Sequence, residues 1–584
     1  MHSFSSKNIS KALLLFNLVL LFIYKGGRDP FGLALYHALT LAAFWLAAPR
    51  IPFNNPVSKL LIAVLASWAL SSAVNPLDAK GWVHGFAFAA HALNFFTFRA
   101  VADRPFIRSS FVAIALSSVV IALLALLGQG RMTIMPNSNL DATFLNFGIL
   151  TAAFYLMSRD FKFGPRHLAA GLLLAFLLSG QFLLFSRGAA LSLVAALAAG
   201  LLTDRKKVFR IGAFILIMLL LLVIFFEKPA ASLASKFGTS GLTSRILVWR
   251  GGVEAFKVKP WLGWGLAGFE RAYKRHRLPM NNEVGRYEKT TAFAHNEYLQ
   301  IAVETGILGL LAWLALLFVL LKRGVGSVRK NPSSWEISAS LACMIALLAH
   351  AAVDFNLHLP IFGFMFSFFA ASTADLPEGE SGYSLPAAII VIWGMVSIYS
   401  LGTLWVGKSQ AARAVRMNPY SRELLEKLMD LSPTADRVLA VNSAFRFHHV
   451  HDRPKAYIAR AHFHKGELTE AAQAYEYAIE KNPTNPFYKT ELADLCLKQR
   501  NVHAAAFLFS QALELEPFFI YPRFRLAEIL AAEGKKREAL EAFRQIQKIE
   551  REMLPANSEY TKRILETNPK AVADRIRRLE KERP

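Results

Sequence analysis

The sequence predicts an all-α protein in two parts: a polytopic helical membrane domain of about 12–13 transmembrane helices, followed by a soluble α-solenoid. Three observations carry this prediction. Up to about residue 405 the chain is a succession of apolar runs with short polar breaks. Beyond that point it turns charged and alanine-rich. Within that second regime the sequence matches itself at a fixed spacing of 34 residues.

The membrane domain comes first. A span needs about 20 predominantly apolar residues, and candidate runs centre on 12–24, 31–48, 58–74, 83–98, 109–128, 140–158, 167–183, 187–203, 210–226, 297–321, 337–353, 356–373 and 385–405. The first run follows Lys7 and Lys11 like a signal peptide, but Tyr24-Lys25-Gly26-Gly27-Arg28 supplies no small-x-small cleavage site, so it is read as a retained helix. Alternate loops differ in charge. One set holds Lys7/Lys11, Arg50/Lys59, Arg99/Arg104/Arg108, Arg159/Lys162/Arg166, Arg205/Lys206/Lys207/Arg210 and Lys322/Arg323/Arg329/Lys330; the other holds Lys25/Arg28, Lys80, Arg131 and Arg187. Short basic loops stay in the cytoplasm. The N-terminus is therefore expected inside, with Arg187, a long loop at 227–296 and Asp354 on the outer face. Thirteen spans place the C-terminal domain outside as well, and twelve would place it inside. The formal net charge of +24 is largely this topological lysine and arginine and does not point to nucleic acid. Cys343 and Cys496 fall in different regimes, so no disulfide is expected.

In the tail, Ala459, Ala493 and Ala527 align, as do Ala471, Ala505 and Ala539, Tyr475, Phe509 and Phe543, and Gly466, Arg500 and Gly534. Pro483 and Pro517 close the first two units. Small residues where paired helices touch, a large residue filling the gap and a terminating proline resemble the tetratricopeptide repeat. The expected organisation is a membrane domain over 1–405, a helical connector over 406–451, three repeats over 452–553 and a basic C-terminal helix or tail over 554–584. Such an array offers a concave face to an extended segment or a protein partner, or serves as a spacer. The histidines at 448, 449, 451, 462 and 464 lack acidic or cysteine company and read as a solvated surface.

Polar groups near span ends are expensive and merit a functional hypothesis. Three clusters fall on the expected outer face: Ser186-Arg187-Gly188; Arg245 to Arg250 with Trp249, followed by Pro260-Trp261-Leu262-Gly263-Trp264-Gly265 and Phe269; and His295-Asn296-Glu297-Tyr298-Leu299 with Glu304 and Gly306. Arginines cannot lose their charge and make bidentate contacts, so Arg187, Arg245 and Arg250 suit a diphosphate. The long loop carries twelve Lys and Arg against five Asp and Glu. Long loops escape the positive-inside rule, so this excess asks for an anion. Trp249, Trp261 and Trp264 suit stacking on sugar rings, and Gly263 and Gly265 suit tight turns and close approach. His295 is the candidate general base. Glu304 lies nine residues on, on the far side of a helix from His295 unless that helix starts after the histidine. Taken singly, each residue also fits a plainer role: a snorkelling arginine, an aromatic belt, a helix cap, a carboxylate paired with a loop base.

In order along the chain, Ser-Arg-Gly at a span start, Arg-x-x-x-Trp, Pro-x-x-Gly-x-Gly-x-x-x-Phe and His-Asn-x-x-Leu-x-x-x-x-Glu-x-Gly resemble the O-antigen ligase and polymerase superfamily. Asn137 to Asn139 and His350-x-x-x-Asp354-Phe355 add to the likeness, which spans most of 1–375 and is motif-specific over about 130–360. The resemblance implies a metal-independent, cofactor-free glycosyltransferase of the bacterial inner membrane whose donor is a glycan on undecaprenyl diphosphate. Arg187 and Arg245 would hold the diphosphate and His295 would serve the acceptor hydroxyl, with inversion at the anomeric carbon. Arg250, Trp249, Trp264, Asn296, Glu304 and Asp354 would line the substrate. Members divide by acceptor: ligases use lipid A-core, polymerases a second lipid-linked glycan, and protein O-oligosaccharyltransferases a Ser or Thr. The favoured reading is ligase-type transfer to a glycolipid. A transporter of the same lipid-linked glycans is the alternative from another class, although the charges cluster on one face and no repeat relates the halves.

Overall fold

The computed structural model describes residues 5–75, 79–157, 164–200, 240–279, 284–373, 387–406, 410–418, 422–431, 451–552 and 558–581, with isolated positions between 434 and 438. The expected run at 210–226, the acidic loop at 374–384, and His448 and His449 lie outside these residues. Every regular element of three residues or more among the described residues is helical. The chain separates into two compact units. The first is formed by 1–239, 259–267 and 293–408, the second by 240–258, 268–292 and 409–584.

The first unit contains α1 (Ser6–Ile23), α2 (Pro30–Ala47), α3 (Pro56–Val74), α4 (Ala79–Val101), α5 (Arg104–Leu127), α6 (Ser138–Leu156), α7 (Pro165–Leu184) and α8 (Arg187–Gly200). The loop helices α9 (Ser240–Val258) and α10 (Phe269–His276) belong to the second unit. The first resumes with α11 (Glu297–Lys330), α12 (Trp335–Ala351), α13 (Pro360–Thr373) and α14 (Ala387–Val406). Twelve expected apolar runs thus fall on these helices. Five, α1, α3, α5, α7 and α11, are long and apolar enough to cross a membrane by length and composition, and α2, α8, α12 and α13 contain shorter apolar stretches. Their starts are written in the sequence. Asp29, Asn55, Asp103, Asn137, Asn296 and Ser334 each accept a backbone N–H of the first turn, satisfying donors a helix leaves open.

Large apolar side chains face outward along these helices, including Ile23, Trp45, Leu116, Leu172, Leu191 and Phe318. Such a surface is stable against lipid rather than water. The polar groups lie inside. Asn17 donates to Thr40, Asn94 to the Tyr36 hydroxyl, and Asn146 to the Ala189 carbonyl and Ser192. Within the unit α11 packs on α3, α12 on α6 and α8, and α13 on α4.

In the second unit, α15 (Ala411–Met417) and α16 (Arg422–Leu431) precede three helix pairs: α17 (Asp452–Lys465) with α18 (Leu468–Lys481), α19 (Pro486–Lys498) with α20 (Val502–Leu515), and α21 (Ile520–Ala532) with α22 (Lys536–Glu552). The aligned alanines Ala459, Ala471, Ala493, Ala505, Ala527 and Ala539 are fully buried, as are Phe509 and Phe543, with Tyr475 nearly so. The fourth aligned column marks the turn inside each pair, where Gly466, Arg500 and Gly534 all take positive φ, at 82°, 61° and 78°. The basic tail forms α23 (Glu559–Leu565) and α24 (Pro569–Lys581). Val572, Ile576 and Leu579 of α24 pack against the third pair and close its apolar face.

Candidate active site

His295 sits just before α11, in a left-handed backbone conformation with φ 51°. Such a conformation costs a non-glycine residue about 1 kcal/mol and persists only where neighbours fix it. Four contacts do so. The Ala294 N–H donates to Gln300 Oε1 at 2.6 Å, and Asn296 caps α11 by accepting from Leu299 N–H at 3.0 Å. His295 Nδ1 lies 3.2 Å from Asp354 Oδ1, and the imidazole stands edge-on to Phe355 with centroids 5.0 Å apart. Asp354 is 1% exposed, whereas the His295 side chain is 31% exposed. A carboxylate at Nδ1 selects the tautomer with the proton there, which leaves Nε2 as the acceptor. The helix starts after the histidine, so the geometrical obstacle to pairing Glu304 with His295 changes form. Glu304 accepts from Gln300 Nε2 at 2.7 Å, and Gln300 in turn holds Ala294. Glu304 is buried, and through Gln300 it is linked by hydrogen bonds to the backbone beside His295.

The glycines of the two motifs meet one another. At Gly306, with φ 68°, α11 breaks and turns backbone groups outward. Trp264 N–H donates to the Val303 carbonyl and Gly265 N–H to the Glu304 carbonyl, both at 2.9 Å, and Ile307 N–H donates to the Pro260 carbonyl at 2.7 Å. The Ser71 hydroxyl adds a donor to the Glu304 carbonyl at 2.7 Å, and the Asn75 amide donates to the Gly263 carbonyl at 3.0 Å. A side-chain carbon on Gly263 would stand 2.5 Å from the Glu304 carbonyl. Close approach is therefore the reason for glycine at 263, as anticipated, but the partner is α11 and not a ligand. Trp264 is corrected accordingly. It is 3% exposed, with Lys259 Nζ 4.8 Å above its ring, and offers no open face to a sugar. Trp261 is the exposed tryptophan of that loop.

Arg187 is exposed at the start of α8. Ser186 Oγ accepts from Ala189 N–H at 3.3 Å, and a side-chain carbon on Gly188 would lie 2.5 Å from His350 Nε2. His350 is one turn before Asp354 and accepts the Asp354 N–H on its carbonyl at 3.0 Å. The Ser-Arg-Gly and His-x-x-x-Asp motifs thus pack together beside His295. His295 lines a cavity of about 440 Å³ with His84, Asn137, Phe293, Phe355 and His358. The sequence reading missed a second buried pair in its wall: Glu297 Oε2 lies 2.6 Å from His358 Nδ1 and Oε1 accepts the His358 N–H at 3.1 Å. An acid at the first position of an apolar span was the available signal. Asp141 accepts from Ile134 and Met135 N–H at 3.0 Å and fixes the loop that leads to Asn137.

Arg245, Trp249 and Arg250 lie on α9, in the second unit. Helical spacing puts Arg245 and Trp249 on one face and turns Arg250 about 140° from Arg245. Gly251 seats α9 on α10, since a side-chain carbon there would meet the Tyr273 ring at 2.9 Å.

Residues 172–314 match the O-antigen ligase family, and residues 455–486 match the tetratricopeptide repeat. A protein of Rickettsia felis described as "Putative polysaccharide ligase" is 26% identical over 113 residues, which are 19% of this chain and 27% of that protein. The chain thus spans about a quarter of the length of that curated relative. It carries an O-antigen ligase domain within a multi-pass helical membrane core and a tetratricopeptide repeat domain behind it.

Proposed function

We propose that the chain is a metal-independent inner-membrane glycosyltransferase that moves a glycan from undecaprenyl diphosphate onto an acceptor hydroxyl at the periplasmic face. The observation that carries this reading is the His295–Asp354 pair, held in a strained turn at a cavity wall beside Ser186-Arg187-Gly188. In the proposed reaction His295 Nε2 takes the proton of the acceptor hydroxyl. The oxygen forms its bond to the anomeric carbon as the bond to the diphosphate oxygen breaks, and undecaprenyl diphosphate leaves with both electrons of that bond. Attack from the opposite face inverts the configuration. Arg187 and Arg245 supply fixed positive charge for the departing diphosphate, and Asp354 stabilises the imidazolium. Trp249, Arg250 and Asn296 complete the proposed substrate surroundings, with Glu304 acting as a positioning residue. Lipid A-core or a similar glycolipid is the proposed acceptor.

The test is transfer by the purified protein in detergent with EDTA, comparing wild type with Arg187→Ala, His295→Ala and Asp354→Asn. Loss of the base or its partner is expected to slow transfer by about 100-fold or more. The glycolipid acceptor should work where a second lipid-linked glycan or a Ser/Thr peptide does not. Movement of the lipid-linked glycan across vesicle membranes with no acceptor glycosylated would replace the enzyme by a transporter.

A further inference from the structure

We propose that the tetratricopeptide domain binds the long loop of its own chain, through residues 274–277 and 284–287, and thereby fixes the helix that carries Arg245 and Arg250. Asn482 and Glu516 occupy the same position in successive repeats, the residue that ends the second helix. They receive successive parts of the loop. Arg277 Nη2 donates to Asn482 Oδ1 at 3.2 Å, while the Gly285 and Tyr287 N–H groups donate to the Glu516 carboxylate at 3.2 and 3.3 Å. Two positions earlier the pattern repeats. Arg275 pairs with Glu480 at 3.1 Å, and Arg286 donates to the Glu514 carbonyl at 3.3 Å. Lys274 reaches Asp452 at 3.2 Å, and Val284 packs against Phe487, Phe519 and Ile564. The loop therefore runs along the turns between repeats rather than in the concave face.

Burial shows that this is a built interface. Glu516 is 0% and Arg277 8% exposed. A charged group taken out of water needs hydrogen bonds to its polar atoms, and the loop supplies them: two backbone N–H groups to Glu516, and for Arg277 the Tyr287 carbonyl beside Asn482. Arg277 adds a bond to the Tyr287 carbonyl at 2.7 Å and closes the segment on itself. Four of the twelve bases of the loop, Lys274, Arg275, Arg277 and Arg286, are taken up here. To that extent the basic excess of the loop answers the repeat domain and not an anionic substrate. Arg277 follows directly on α10, whose Tyr273 supports Gly251 of α9, so the hold reaches the arginine helix.

The contact also fixes topology. A loop and the domain that binds it lie on one side of the membrane. Among the described residues four helices, α11–α14, lie between them, and four crossings would return the chain to that side.

The link to Arg245 rests on the function proposed above, so the test starts with readouts that need no transfer activity. In spheroplasts carrying Cys343→Ser, native Cys496 is expected to react with an impermeant maleimide without permeabilisation, as does a probe placed by Lys289→Cys in the Cys343→Ser/Cys496→Ser background. Labelling of one of the two probes only after permeabilisation while the other labels without it overturns the proposal. In the purified full chain, Glu516→Ala and Arg277→Ala should each speed tryptic cleavage after Arg286 about tenfold. Arg277→Ala alters only the loop, so the repeats keep their fold. Rates within twofold of wild type in both variants overturn the proposal. Once transfer is established, Arg277→Ala should lower kcat, and unchanged kcat refutes the link to the arginine helix alone.

Discussion

The break in α11 offers a test with an internal control of opposite sign. Gly306 and Gly326 lie on the same helix. Gly306 has φ 68° and ψ −169°, a conformation side chains rarely adopt, and a side-chain carbon there would run into the Trp261 carbonyl and stand 2.6 Å from Leu262 N. The obstacle is backbone and cannot swing aside. Gly306→Ala would impose about 1–3 kcal/mol of conformational strain. It would also push the 260–265 loop off α11, where three backbone hydrogen bonds cross, each worth about 1 kcal/mol. The sum is a loss of about 4–6 kcal/mol. Gly326 has ordinary helical backbone and open space around it, so Gly326→Ala should stabilise by about 0.5–1 kcal/mol. Thermal exposure of Cys343, fully buried in α12 of the same unit, reports both effects through a thiol-reactive dye in a Cys496→Ser background. The apparent midpoint should fall for Gly306→Ala and rise slightly for Gly326→Ala. Equal midpoints for the two variants would show that the docking of the glycine loop on α11 does not hold this unit together.

Two further predictions concern the repeat domain. Arg500 occupies the left-handed turn position that its counterparts fill with glycine, so Arg500→Gly should stabilise the domain by about 1 kcal/mol in denaturant unfolding, and a loss would show that the side chain earns its place through packing. Burial opposes the charge of Asp452, but Lys274 of the loop and the Asn482 amide outweigh it and hold the carboxyl below its ordinary range. A carboxylate whose pKa falls on folding contributes stability that is complete above its unfolded value of about 3.9 and lost as pH falls through the folded value. Asp452→Asn should therefore cost on the order of 2 kcal/mol at pH 7, with the gap to wild type closing below about pH 4. A gap independent of pH would mean that shape, not charge, matters at that position.

Much of the fold was legible because its signals are local. Apolar runs gave the membrane helices, and a 34-residue spacing gave the repeats, including the column Gly466, Arg500 and Gly534 that the structure places at positive φ. The order of motifs pointed to the site, since Ser-Arg-Gly, His-Asn and His-x-x-x-Asp lie near span ends where polar groups are costly. The pairing of Glu297 with His358 escaped notice because the two are ordinary residues until the chain brings them within 2.6 Å. Trp264 was misjudged for the same reason: an exposed and a buried tryptophan look alike in sequence.

The sequence by itself determined the element types, their ends and the internal repeat, because these depend on periodicity and on residues a few positions apart. Only the tertiary structure decided that Glu304 hydrogen-bonds to Gln300, that the Gly263 loop docks on the break at Gly306, and that the basic loop lies along the repeats. These are pairings between segments tens to hundreds of residues apart. Hydrogen-bond partners and close approaches at that range are set by packing, and no local pattern of charge or hydropathy encodes which distant surface a side chain will meet.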